Sequence, residues 1–246
     1  MSAAPASPAA EPLSEPARII NTFVAPTKTF ADLKRVSRWW SPFIALTIAS
    51  YALIAVAGQR VGWEQITENG LRMSPKQAAR LESVPAEQRP AAMERAVKFT
   101  RIISYAFPIA INLPFLLIVC AILMASFNYG AGAEIPFRTA LGVVAYANLP
   151  GVLKAVLAIV ALLAGSNPES FNFQNPVATN PGYFMDPVAS PMLFRLASAL
   201  DVITIWILAL NALGFAAVSK LKRGTTFAVV FGWYIVITLV MALVFS

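Results

Sequence analysis

The sequence predicts an all-α integral membrane protein, a bundle of five transmembrane helices, and three observations carry that expectation. First, five stretches are almost without charge. No charged residue lies between Arg38 and Arg60, between Arg101 and Glu134, or from Gly224 to Ser246. Lys154 is the only charge between Arg138 and Glu169, and Asp201 the only one between Arg195 and Lys220. A helix rises about 1.5 Å per residue, so about 20 apolar residues cross a hydrocarbon core of about 30 Å, and all five stretches reach that length. Second, 58% of the 246 residues are apolar and only 13% are charged. A soluble fold hiding five such helices would keep too little polar surface to face water. Third, the 19 basic residues behind the net charge of +7 flank the apolar runs instead of forming one stripe. That is how topology-setting charges are placed, and it argues against a nucleic-acid partner.

Residues 1–17 (MSAAPASPAAEPLSEPA) are rich in Ala, Pro and Ser, with no basic n-region and no apolar core. They read as a disordered tail and not as a cleaved signal peptide, so the first apolar span itself would direct membrane entry. Residues 18–38 form an amphipathic juxtamembrane segment. Ile19, Ile20, Phe23 and Val24 make one apolar cluster, Phe30, Leu33 and Val36 another, and Lys28, Lys34, Arg35 and Arg38 are the basic flanks. Such a segment either lies on an anionic membrane surface or packs against the end of the bundle.

The membrane domain, 39–246, begins with span 1 at about residues 39–58, where Trp39 and Trp40 suit the interfacial belt. A partly helical extramembrane loop follows. Ser74-Pro75-Lys76-Gln77 resembles a capping box with Pro at the first helical position, and Pro90 starts a second helix that runs into span 2. Span 2, about 102–127, contains Pro108 and Pro114, and span 3, about 137–163, contains Pro150. Each of these prolines is expected to kink its helix by removing a backbone donor and crowding the preceding turn. A loop rich in Asn, Pro and Phe precedes span 4, about 196–219, and a short basic turn precedes span 5, about 226–245.

Loop charge orients the bundle. Lys220, Lys222 and Arg223 sit at the membrane edge between spans 4 and 5, whereas 165–191 contains no Lys or Arg. The basic turn belongs in the cytoplasm, which puts the N-terminus inside and the C-terminus outside a bacterial inner (cell) membrane. The eight basic residues from Arg60 to Arg101, mixed with five Glu, then lie outside, against the rule.

Polar groups at bilayer depth are where function is sought. Asn112-Leu113-Pro114 in span 2 and Asn148-Leu149-Pro150 in span 3 repeat a tripeptide. Each Asn stands about 15 Å inside its entry face, and Asn211 reaches a similar depth in span 4. The three form a candidate polar cluster. Either they hold kinked helices together by hydrogen bonds, or they line a small midplane cavity such as discontinuous helices make in transporters. Lys154 and Asp201 are the only charges within spans and form a candidate intramembrane ion pair, whether structural or part of an ion pathway.

Catalysis finds little support. The chain has no His and one Cys, Cys120, so neither a metal set nor the commonest acid–base group is available. Gly130-Ala131-Gly132 lacks the strand, third glycine and helix of a dinucleotide loop. No catalytic, cofactor or metal residue is assigned, and no enzyme is expected.

Several short motifs, in order, are similar to those of the Yip1 family of five-span membrane proteins, in its bacterial branch. They are Phe23-Val24-Ala25-Pro26 with Thr29-Phe30, then Trp39-Trp40-Ser41-Pro42, then Phe137-Arg138-Thr139-Ala140 leading to Tyr146-Ala147-Asn148-Leu149-Pro150, and finally Leu200-Asp201 with Ile205-Trp206. The resemblance covers roughly residues 19–245 and implies a helical membrane scaffold. Eukaryotic relatives act in vesicle trafficking and associate with Rab-type small GTPases through cytoplasmic regions. This chain keeps only Ser41-Pro42 of the longer Asp-Leu-x-Gly-Pro element that precedes their first span. The expected function is therefore a non-enzymatic membrane scaffold or adaptor, with a trafficking-like or membrane-organising role. Its expected contacts are the lipid bilayer, a protein partner at the cytoplasmic face and further copies of itself. A small transporter or channel subunit with a polar midplane site is the alternative, and lipid handling a third reading.

Overall fold

Every regular element among the described residues, 11–244 of the computed structural model, is helical. The first ten residues of the expected tail and the last two of span 5 lie outside that range. Within it the tail is shorter than expected, because α1 (Glu15–Val24) already starts at Glu15, with Ser14 as its N-cap and Pro16 in its first turn. Ala25 separates it from α2 (Pro26–Asp32), and the two pack against each other as a helical hairpin.

The segment packs against the bundle. Phe30 and Leu33 have no exposed surface. They join a core built from α7 (Asn112–Ala125), α8 (Phe137–Ala147) and α11 (Val202–Val218). Small residues permit the approach. A Cβ placed on Gly214 of α11 would stand 2.5 Å from Cγ1 of Val143 and 3.1 Å from the Phe30 ring. Close backbone contact at small residues is the ordinary way membrane helices gain packing energy, since lipid supplies no hydrophobic drive between them.

The apolar helices differ in continuity. α3 (Trp40–Arg60) and α12 (Arg223–Val244) are single apolar helices. Span 2 belongs to one 45-residue helical run, Ala86–Gly130, that includes α6 (Arg89–Ala106) and α7. Pro108 is absorbed in a π-type turn, Phe107–Ile111, and Pro114 lies inside α7. Span 3 comprises α8 and α9 (Pro150–Leu163), with Pro150 as the first residue of α9, where its missing donor leaves no bond unmade. The break bent by more than 40° lies elsewhere. It joins α10 (Pro191–Ala199) to α11 at 50°, across Leu200 and Asp201, with no proline in it. Among the described residues, four helices are long and apolar enough to cross a membrane, five if this bent pair counts as one span.

Two cores mark the two ends of the bundle. At one end lies the Phe30–Val143–Phe215 core, beside the segment joining α2 to α3 and the turns 131–136 and 219–222. At the other, Ala57 of α3 and Ala158 of α9 pack with Ile66 and Phe171. There α4 (Trp63–Arg72) meets loop 164–190: Asn69 donates to the carbonyls of Pro168 and Phe171, 2.9 Å each. The expected helix α5 (Pro75–Glu82) forms, but the Ser74 side chain makes no capping bond. Val236, Ile237, Leu239, Val240 and Leu243 of α12 are each about half or more exposed, an exterior that water would disfavour and hydrocarbon accepts. The chain is a multi-pass membrane protein.

Candidate functional site

A buried ionic cluster fixes the N-terminal hairpin to the bundle. Arg18 is 1% exposed, and its guanidinium lies 2.7 Å from Oδ2 of Asp32 and 2.6 Å from Oε1 of Glu15. The second Glu15 oxygen accepts from Oγ of Ser41 and, at 2.7 Å, from Oη of Tyr146. The carbonyl of Arg18 accepts from the hydroxyl of Thr22 within α1 and from that of Thr29, which ties α2 to α1. Burial works against the charged form of Glu15. Hydrogen bonds from Ser41 and Tyr146, with the Arg18 and Arg38 charges, outweigh it and hold the carboxyl below the usual range.

Several of the residues behind the family resemblance converge here, whereas Leu200-Asp201 does not. Tyr146 receives Glu15, and Ser41 hydrogen-bonds both. Phe23 meets Trp206 edge-on at 5.7 Å, Thr29 and Phe30 are fully buried, and Leu149 is 1% exposed. The turn at Asn148-Leu149 repairs its own backbone. Leu149 N–H donates to the Tyr146 carbonyl that Pro150 leaves free, and Asn148 Nδ2 donates to the Val144 carbonyl at 2.8 Å. The Tyr-x-x-Leu-Pro element is thus a socket: its tyrosine reaches the hairpin while its proline starts the next helix.

A second polar cluster sits at the opposite end, around the α10–α11 break. Asp201 is the N-cap of α11, accepting from Thr204 N–H at 2.8 Å. Its other oxygen accepts from Thr179 and Asn180 of the loop and lies 3.0 Å from Nζ of Lys154. The chain therefore brings Lys154 and Asp201 together, but at a loop-covered helix break and not within a continuous span. Val202 N–H donates to the Thr179 carbonyl, so the same break anchors the loop. The carboxylate has donors on every side, which lets a charge persist at 2% exposure.

The three asparagines are not joined. Among the described residues no hydrogen bond links any two of them. Asn148 and Asn211 each donate to their own helix, four residues back, and Asn112 begins α7 after the π turn. Oδ1 of Asn211 is buried without a partner among the described residues. Neither the cavity lined by Arg195 and Thr238 nor that lined by Asn69 and Tyr183 includes Pro108, Pro114 or Pro150, and among the described residues no group of acidic or Cys side chains has metal-holding geometry.

Sequence reading does not single out Glu15, Arg18 or Asp32, since Glu15 falls in the apparent tail, and Ser41 enters it only through the family resemblance. One signal was present. Asp32 is the only acid between Arg18 and Arg60, a lone carboxylate in a strongly basic segment.

Comparison with protein-family models matches residues 20–245 to the Yip1 domain. No curated protein and no solved structure matches the chain. The matched span takes in both polar clusters except Glu15 and Arg18, and all the apolar helices. The chain belongs to the Yip1 domain family.

Proposed function

We propose that the protein is a non-enzymatic membrane scaffold or adaptor of the bacterial cell membrane, crossing it five times with its N-terminus in the cytoplasm. One observation carries the reading: the charged groups inside the bundle pair with one another. Glu15, Arg18 and Asp32 at one end, and Lys154 and Asp201 at the other, are paired and hydrogen-bonded, an arrangement that suits an architectural role. Five crossings suit the grouping of the turns, with 131–136 and 219–222 at the hairpin end and residues 61–85 and 164–190 at the other. The hairpin keeps Ile20 and Val24 on its outer face, 61% and 73% exposed, as a surface a protein partner or a second copy can cover.

The test is in vivo photo-crosslinking from Val24, Lys34 and Lys220, with Ile48 on the lipid face as control. Discrete protein adducts from the first three sites support the scaffold. Their absence, together with solute flux in protein-containing liposomes, overturns it in favour of a small transporter or channel. That second reading rests on the unpartnered Oδ1 of Asn211, so Asn211→Leu should then abolish the flux. An active C-terminal alkaline-phosphatase fusion supports the stated orientation, and an inactive one reverses it.

A further inference from the structure

Basic residues far apart in sequence meet at the hairpin end of the bundle. Lys28, Lys34, Arg35 and Arg38 of the N-terminal segment are all exposed. The Leu33 side chain lies against Gly142 of α8, where an added Cβ would meet it at 3.5 Å, so the adjoining Lys34 and Arg35 lie near that helix. Ser37 and Thr139 share a hydrogen bond of 3.0 Å, which sets Arg38 beside exposed Arg138. Leu221 packs on the same core as Phe30, bringing exposed Lys220, Lys222 and Arg223 to that end.

Against these eight cations stand two exposed carboxylates, Glu11 and Glu134. Asp32 is turned inward onto Arg18, and Arg38 reaches Glu15 only at 3.6 Å. The opposite end differs: its basic residues from Arg60 to Arg101 are interleaved with Glu64, Glu68, Glu82, Glu87 and Glu94, and Lys98 is tied to Glu94 at 2.8 Å.

We propose that this end is a binding surface for anionic phospholipid headgroups. Its place on the bundle decides the kind of partner. Trp40 and Phe137, 48% and 44% exposed, stand at the same end as interfacial aromatics. The lipid-facing surface of α3 begins immediately below, with Ile44 and Ile48 exposed. Cations at that border lie at headgroup depth, and the guanidinium fork matches a phosphate diester in two parallel hydrogen bonds. An acidic protein or a nucleic acid would instead be served by a surface projecting into water. Each juxtamembrane cation near an anionic surface strengthens association by about fivefold, so a cluster discriminates strongly between anionic and zwitterionic lipid. Partner recruitment plays no part in this binding, so either property can fail without the other.

The experiment uses the full chain in phosphatidylcholine vesicles containing rising fractions of brominated phosphatidylglycerol, with quenching of the tryptophans as readout. Wild type should prefer the anionic lipid by about tenfold or more at low salt, and lose most of that preference at about 0.5 M salt. A variant neutralised at this end (Lys34→Gln, Arg35→Gln, Lys222→Gln, Arg223→Gln) should approach parity. One neutralised at the other end (Arg72→Gln, Lys76→Gln, Arg80→Gln, Arg95→Gln) should keep the preference. Equal effects of the two sets, or no preference in wild type, overturn the proposal. So does competition by free inorganic phosphate at millimolar concentration, which marks a simple anion site. Helix content by circular dichroism confirms that the variants fold, and the wild-type salt dependence is decisive without them.

Discussion

Replacing Arg18 by Met tests how the N-terminal hairpin is held. The methionine keeps most of the stem's packing and removes the guanidinium, leaving Asp32 and Glu15 without the cation that lies 2.7 and 2.6 Å from them. Both carboxylates remain largely out of water, Asp32 at 8% exposure. Breaking a buried pair by removing one partner costs about 3–5 kcal/mol, most of it the burden of the stranded charge. The loss should appear as local opening of the hairpin, because the apolar spans do not depend on this cluster for insertion. Thr22 is fully buried and reports that opening. In a Thr22→Cys, Cys120→Ala background, maleimide labelling should accelerate by about a hundredfold to a few thousandfold, at about 1.4 kcal/mol per decade. Adding Asp32→Leu removes the stranded carboxylate and should recover part of the loss, since an apolar pair of similar volume is often as stable as the buried ion pair. A rise below about tenfold with Arg18→Met, or a double variant that opens more readily than the single, would refute the account of a stranded charge.

Further consequences concern neighbouring residues. Tyr146→Phe removes the bond to Glu15 at 2.7 Å and should loosen the hairpin by about 1.5–3 kcal/mol in the same labelling assay, with no change in membrane insertion. Because the Glu15 carboxyl is held below its usual range, its contribution is complete above about pH 4.3 and fades as pH falls through the lower folded value. Hydrogen exchange over α1, corrected for intrinsic rates, should therefore show protection falling only in that acid window; loss already at neutral pH would contradict it. Gly214→Ala forces a Cβ to within 2.5 Å of the buried, stiff Val143 side chain and should lower stability by about 1–3 kcal/mol in thermal melts. Gly142→Ala, whose Cβ meets Leu33 at an ordinary 3.5 Å, should be tolerated. Asp201→Asn keeps the cap on Thr204 but removes the charge opposite Lys154, so folded yield should fall and adding Lys154→Met should restore it. Full yield with loss of a transport signal would instead make the pair part of a pathway.

Much of the fold was legible because the bilayer imposes a length. Uncharged runs of about 20 residues mark crossings wherever they occur, and that signal needs no tertiary information. Bending was less legible. Prolines 108, 114 and 150 read as kink points, yet the 50° break falls at Leu200–Asp201. Proline is tolerated where a π turn or a first helical position absorbs its missing donor, and both occur here. Asp201 breaks a helix for a different reason, because a carboxylate in apolar surroundings does best at an N-terminus with loop donors around it.

The candidate site divides in the same way. By itself the sequence determined that the chain lives in a membrane, where its apolar helices run, that Lys154 and Asp201 are the charges needing an explanation, and which family its ordered motifs resemble. All of these follow from composition and spacing, which a bilayer reads one segment at a time. Only the tertiary structure decided what Glu15, Arg18 and Asp32 do and why Tyr146 stands where it does. It also decided that cations from the N-terminal segment, α8 and the α11–α12 turn share one end. These are contacts between residues far apart in the chain, 131 positions for Glu15 and Tyr146. A buried charge is recognised only by the partner that folding brings to it, and no local pattern records that meeting.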